Sequence, residues 1–175
     1  GAGMLAPSLA TMIVVITTDA KLSPEQLDRA LRSATAKSFD RLDSDGCRST
    51  NDTVALLSSG AGAEADEAEF TALLTEVCTD LARQLMADAE GAAHDVEITV
   101  TGAASEDDAV EVGRTVSRSN LVKTALMGED PNWGRVLAQV GTAQAEFDPE
   151  NLDVSFNGVQ VCRATAPHED PAKVK

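Results

Sequence analysis

Apolar positions fall into short blocks whose spacing switches repeatedly between strand and helix. The run Met12-Ile-Val-Val-Ile16, following a small-residue segment that contains Pro7, reads as a buried strand through Thr18. After a turn, Ser23-Pro-Glu-Gln26 combines an N-cap serine, proline at the first helical position and a capping-box glutamine. Leu27, Ala30, Leu31 and Ala34 then recur at helical spacing, which predicts a helix from Pro24 to about Ser38. Asp40 to Asp52 is a polar loop, and Thr53–Ser58 a short buried strand. The longest helix is predicted after a small-residue loop, with Phe70, Leu73, Leu74, Val77, Leu81 and Leu85 on its apolar face.

Glu90-Gly91 ends that helix, and the alternation of Val96-Glu-Ile-Thr-Val-Thr101 predicts a half-exposed strand. Ser105-Glu-Asp-Asp108 resembles a second capping box opening a helix through Val116. Periodicity leaves Leu121–Met127 open between strand and helix, and a strand is preferred. A short helix is expected over Asn132–Val140, then a strand Leu152–Phe156. Asn157-Gly158 signals a hairpin returning through Val159–Arg163, and the tail from Ala166 is expected to be loosely ordered. Alternating strands and helices ending in a hairpin predict one α/β domain with a mixed sheet.

Composition narrows what such a domain can do. With 14 Lys+Arg against 29 Asp+Glu the net charge is −15, which repels phosphate backbones and argues against nucleic acid and anionic membranes as partners. Apolar residues make up 43% of the 175, enough for a real core, yet aromatics are four Phe and one Trp, so aliphatic residues and alanine must fill it. No apolar run approaches the ~20 residues that span a bilayer. Cys47, Cys78 and Cys162 are odd in number and form no CxxC pair, which predicts reduced thiols, a cytoplasmic location and no zinc site. Asp45-Gly46 lacks the further oxygen ligands of a metal loop. The start at Gly1, without an initiator Met or a charged leader, suggests a chain beginning inside a longer product.

Thr11 stands where the flexible approach meets the first strand. A threonine hydroxyl needs an adjacent base, and a threonine that begins a chain can use its own amine. If the bond after Ala10 is cut, Thr11 meets that condition; otherwise it merely opens a strand.

The wording Gly1-Ala-Gly-Met-Leu-Ala-Pro-Ser-Leu-Ala-Thr11-Met resembles the self-cleavage junction of the ornithine acetyltransferases, the ArgJ-like bifunctional glutamate N-acetyltransferases of arginine biosynthesis. Further matches follow in order: Ser49-Thr-Asn-Asp-Thr-Val54, Glu90-Gly-Ala92, Leu121-Val-Lys-Thr-Ala125 and Asp130-Pro-Asn-Trp-Gly-Arg135. The resemblance implies cleavage between Ala10 and Thr11, with residues 1–10 ending an α-chain and 11–175 forming most of a β-chain. It also implies an αββα sandwich of N-terminal-nucleophile type, of which this chain supplies a part. Thr11 would carry the acetyl group from N-acetylornithine to glutamate. Thr11 and Glu90 would contact substrate, with no metal or organic cofactor. Acetyl-CoA is a possible alternative donor, and the α-chain would be a partner in an α2β2 heterotetramer.

The resemblance places the oxyanion donors (a Thr-Gly pair) and a substrate-contacting Lys upstream of Gly1. It places further substrate contacts beyond Lys175, so these residues alone are not expected to be active. After Glu90-Gly91-Ala92 the chain reads Ala93-His94, where the family has Thr-Lys, so roles tied to those two are not carried over. Read from the residues alone, Glu90 is a solvated helix-terminal carboxylate; the substrate contact is what the resemblance adds. Ser49–Thr53 is either an Asx-turn or a loop wall shaping the site. Asp130–Arg135 reads as a turn opening a helix, with Asp130 or Asn132 capping, Trp133 packing beneath and Arg135 pairing with a carboxylate. Lys123 is a snorkelling side chain or a charge partner. His94 and His168 lie in unrelated contexts, and without a G-x-S-x-G elbow a Ser-His-Asp triad is not expected. The rival functions are an N-terminal-nucleophile amidase or peptidase, and an inactive acidic module.

Overall fold

The computed structural model describes residues 2–6, 12–48 and 51–175. They form two compact units, Gly1–Asp95 and Val96–Lys175, both of mixed α/β composition. No helix among the described residues is long and apolar enough to cross a membrane.

In the first unit β1 (Ile13–Thr18) runs parallel to β2 (Thr53–Ser58), in register from Ile13 opposite Thr53 to Thr18 opposite Ser58. The crossover carries α1 (Pro24–Ala36), followed by a single 3-10 turn, Phe39–Arg41. The helix starts where the sequence places it. Ser23 Oγ accepts from Gln26 N at 3.3 Å, and Gln26 Oε1 accepts from Ser23 N at 2.9 Å, satisfying two of the otherwise unpaired helix-end groups reciprocally. α2 (Glu67–Ala87) is capped by Asp66, whose carboxylate accepts from Glu69 N.

Alanines at the helix contacts let these elements approach closely. The core is Ala30, Ala34, Phe39, Leu74, Cys78 and Ala82, with Val14, Ile16, Val54 and Leu56 packing on it from one face of the sheet. The opposite face carries Ile13, Val15 and Leu57, exposed at 75%, 60% and 56%. The buried stripe of α2 is Leu74-Cys78-Ala82. Leu73 and Val77, expected on it, face outward, because the four-residue spacing of Leu74, Cys78 and Ala82 sets which side meets α1.

In the second unit α3 (Glu106–Ser117), α4 (Asn120–Met127) and α5 (Trp133–Val140) precede the hairpin β3 (Val154–Phe156) and β4 (Val159–Arg163). Asn157 and Gly158 turn the hairpin at φ 47° and 83°, the left-handed pair that matches strand twist. Val116, Val122 and Val140 form one buried cluster, and Val154, Val161 and Cys162 another; Val136 on α5 packs against both.

Four expectations are corrected here. Val96–Thr101 is not a strand: a ladder needs a partner, and none among the described residues pairs with it. Ile98 and Val100 instead lie against α3 at Gly113, their methyls 3.8 and 3.7 Å from where a Cβ there would stand. Leu121–Met127 is helix, because Ser119 caps it through Val122 N and Val122 and Ala125 bury at a three-residue interval. Ser105 caps α3 through Asp108 N, but Asp108 accepts the Ser105 hydroxyl rather than the N-cap amide, so only half of a capping box forms. The tail is ordered: β5 (Ala166–Pro167) pairs with β4, and Asp170 caps a 3-10 turn, Pro171–Lys173.

Candidate functional site

Ala10 and Thr11 lie outside the described residues, as do Ser49 and Thr50. The chain on both sides of the Ala10–Thr11 junction is tied to the first unit. Upstream, Ala2 N donates to Asp88 O at 2.7 Å, and Ala2 O accepts from Glu90 N at 2.6 Å. Met4 N donates to Asp45 Oδ2 at 2.8 Å. Leu5 N donates to Ser44 Oγ at 3.0 Å, and Leu5 O accepts from Ser44 N. Leu5 and Ala6 are buried at 6% and 2% exposure, so this segment belongs to the packed interior. Met4, unbranched yet at φ 56°, holds a conformation that favours glycine, and the bonds on either side of it sustain the strain.

Downstream, Met12 is held by both of its backbone polar atoms. Its N–H donates to Asp52 Oδ1 at 3.0 Å, and its carbonyl accepts from Thr53 N at 2.8 Å. Leu5, Ala6, Met12 and Asp52, with Arg32 and Phe39 among their neighbours, line one cleft of about 320 Å³. Ala6 and Met12, the described residues nearest the junction on either side, therefore border the same space.

Glu90 is exposed, just past the end of α2 and before Gly91 at φ 69°. The bridge between Ala2 and Ala89 brings it beside the upstream segment. Its Oε2 is 3.7 Å from where a Gly3 Cβ would stand, and Asp45 Oδ2 is 4.0 Å from that point. Gly3 thus leaves room for two carboxylates against the backbone. Asp45 uses its oxygens on backbone N–H groups, of Cys47 at 2.9 Å and of Met4.

Asp52 does not make the local Asx-turn; it reaches a residue 40 positions away. A sequence reading sees only a polar cluster there. The one available signal is an Asp immediately before a strand that pairs with the strand after Thr11.

The other candidates are structural in their contacts. Asn132 caps α5 through Arg135 N at 3.1 Å and donates to Asp130 at 2.9 Å. Trp133 packs on the Val154–Val161 cluster. Arg135 Nη1 donates to Leu121 O at 2.8 Å and to Thr124 Oγ1 at 3.2 Å, so among these contacts it ties α5 to α4 where a carboxylate partner was expected. Lys123 is half-buried on α4, and His94 and His168 are exposed. Burial pushes the thiols of Cys78 and Cys162 up, which keeps them protonated and poor nucleophiles; Ser38 opposes the shift at Cys78, and nearby Asp153 adds to it at Cys162.

Known proteins bear on this arrangement. Residues 1–175 match the ArgJ family. The chain is 64% identical over 175 residues to the arginine biosynthesis bifunctional protein ArgJ of Thermobifida fusca, covering 99% of this chain and 46% of that protein. It is 62% identical over 164 residues to ArgJ 1 of Streptomyces clavuligerus, covering 93% and 43%. It thus spans less than half the length of these relatives. The crystal structure of ArgJ from Bacillus halodurans superposes with a TM-score of 0.86 at 34% identity, covering 93% of this chain and 80% of that one. A match of sequence along the whole chain, joined to one of fold, leaves a single assignment: this chain belongs to the ArgJ family.

Proposed function

We propose that this chain carries the nucleophile of an acyltransferase that moves acetyl from N-acetylornithine to glutamate, after self-cleavage between Ala10 and Thr11. The observation that carries the reading is the anchoring of both flanks of that junction on one cleft, with Glu90 bonded to the upstream segment. Anchoring the chain at Ala6 and at Met12 favours reaction between them, because holding reacting groups near one another removes part of the entropic barrier.

The Thr11 hydroxyl attacks the Ala10 carbonyl, and the peptide nitrogen leaves as the Thr11 amine. Water then opens the ester, giving a new carboxylate at Ala10. The freed amine, with a reference pKa of about 7.7–8.0, takes the hydroxyl proton in the next cycle. Thr11 attacks the acetyl carbonyl of N-acetylornithine, ornithine leaves, and the amine of glutamate displaces Thr11 to give N-acetylglutamate. Each tetrahedral step develops an oxyanion, whose donors come from the upstream chain. Glu90 meets the amino-acid substrate. The chemistry needs no metal or organic cofactor, and acetyl-CoA can serve as a second donor. The upstream polypeptide stays as a partner within an α2β2 cytoplasmic assembly, residues 11–175 forming a single β-chain domain. The burial of Leu5 and Ala6 supports its retention after the cut.

The test is made on the full-length parent. Intact mass should show a break between Ala10 and Thr11, and incubation with N-acetylornithine alone should add one acetyl group to Thr11. Ping-pong kinetics should follow when glutamate is supplied. A Thr11→Ala protein that still cleaves itself or still transfers acetyl overturns the reading. Turnover independent of glutamate would make the protein an amidase, and an uncut wild-type chain would make it an inactive module.

A further inference from the structure

We infer that Asp52 is a positioning residue for the chemistry at Thr11, acting through the backbone amide of Met12. The inference rests on Thr11 being the nucleophile and gives Asp52 a specific contact in that chemistry. In a regular parallel ladder the Met12 N–H would go to a backbone carbonyl of the neighbouring strand. Here the Asp52 carboxylate takes it at 3.0 Å, while the Met12 carbonyl still accepts from Thr53 N at 2.8 Å. Backbone pairing between β1 and β2 thus gives way to a side-chain contact one residue after Thr11. At 3.0 Å the contact has the ordinary length of an amide hydrogen bond, and it supplies the acceptor that the strand would otherwise provide.

The peptide unit is planar, and that turns a hold on Met12 into a hold on what precedes it. The amide nitrogen of Met12 is covalently joined to the Thr11 carbonyl carbon, so orienting this N–H restrains the whole linkage. Asp52 itself is restrained, being the residue before β2 and half-buried in the cleft that Leu5, Ala6 and Met12 also line. The arrangement serves the cleavage and the later transfer alike, since both begin from the same hydroxyl.

The test uses full-length parent protein with Asp52→Ala, Asp52→Asn and Thr11→Ala. Asparagine keeps an oxygen that can accept from Met12 N; alanine keeps none. Asp52→Ala should slow both self-cleavage and kcat by ~10–100-fold, the scale of a small misplacement of reacting groups, with KM changed less than ~3-fold. Asp52→Asn should recover both rates to within ~5-fold of wild type. Should Asp52→Ala melt below the assay temperature, Asp52→Ser, whose shorter side chain cannot span the same distance, replaces it under the same expectations. Wild-type rates in Asp52→Ala overturn the proposal, as does Asp52→Asn no faster than Asp52→Ala, or a KM effect without a kcat effect. Thr11→Ala separates this failure from the larger one. If that variant remains active, the nucleophile reading falls; if it is inert while Asp52→Ala is normal, only the role of Asp52 falls.

Discussion

The two compact units build their interiors from different residues. In Gly1–Asp95 three of the six residues of the main buried cluster are alanines, and Phe39 is the only aromatic among them. In Val96–Lys175 the two buried clusters are built of valines plus Cys162, with Ala125 buried beside them on α4 and Trp133 only partly buried. Alanine brings helix and sheet backbones close but contributes little apolar area of its own, so one large side chain carries a disproportionate share. Valines spread the burial evenly and stiffen it, having one preferred rotamer in a helix. The unit that flanks the junction is therefore the one whose buried cluster mixes small alanines with a single enclosed aromatic, Phe39.

Each core holds one buried cysteine, Cys78 in the first and Cys162 in the second, so thiol reactivity reports on each separately. The largest effect is expected for Phe39→Ala, about 3–5 kcal/mol from lost burial and the cavity left behind. Denaturant melts should record it, and Cys78 should become reactive to a disulfide reagent while Cys162 stays protected. Simultaneous opening of both thiols would break the comparison. Val161→Ala, the counterpart in the second unit, loses two methyl groups and should cost about 2 kcal/mol, releasing Cys162 first. Gly158→Ala places a side chain at φ 83° in the hairpin turn and should cost about 1–2 kcal/mol, visible as a lower melting temperature.

The smallest effect concerns the bridge from α1 to α2. Arg29 Nε and Nη2 reach Glu67 at 2.8 and 2.9 Å on the exposed surface. The hydrogen bonds from Arg29 hold the Glu67 carboxyl below its ordinary value. A carboxyl so lowered stabilises the folded state above its unfolded pKa and loses that contribution as pH falls through the folded value. Glu67→Gln should therefore shift the melting temperature slightly at neutral pH, negligibly in strong acid and less in high salt. A large shift would mean that the first unit relies on this ion pair as well as on Phe39.

What was legible in the sequence follows the range of each signal. Ser23-Pro24-Gln26, Asn132 and Asn157-Gly158 act within a few residues of themselves, and their elements appear where expected. Leu121–Met127 misled because its apolar spacing suits either period, and its cap, Ser119, lies just outside the window. Val96–Thr101 alternates as a strand should, but alternation supplies only the face and never the partner. At the candidate site, the wording around Ala10-Thr11 and Glu90 carries the family resemblance, while the contacts themselves stay hidden.

By itself the sequence determined where most of the helices begin, where the hairpin turns, and that a strand follows closely after Thr11. Those features depend on caps, turns and spacing that act between near neighbours. Only the tertiary structure decided that Asp52 meets Met12 and that Glu90 meets Ala2, contacts spanning 40 and 88 positions. Such pairs depend on strand register and on where a helix ends, and no local preference encodes either one.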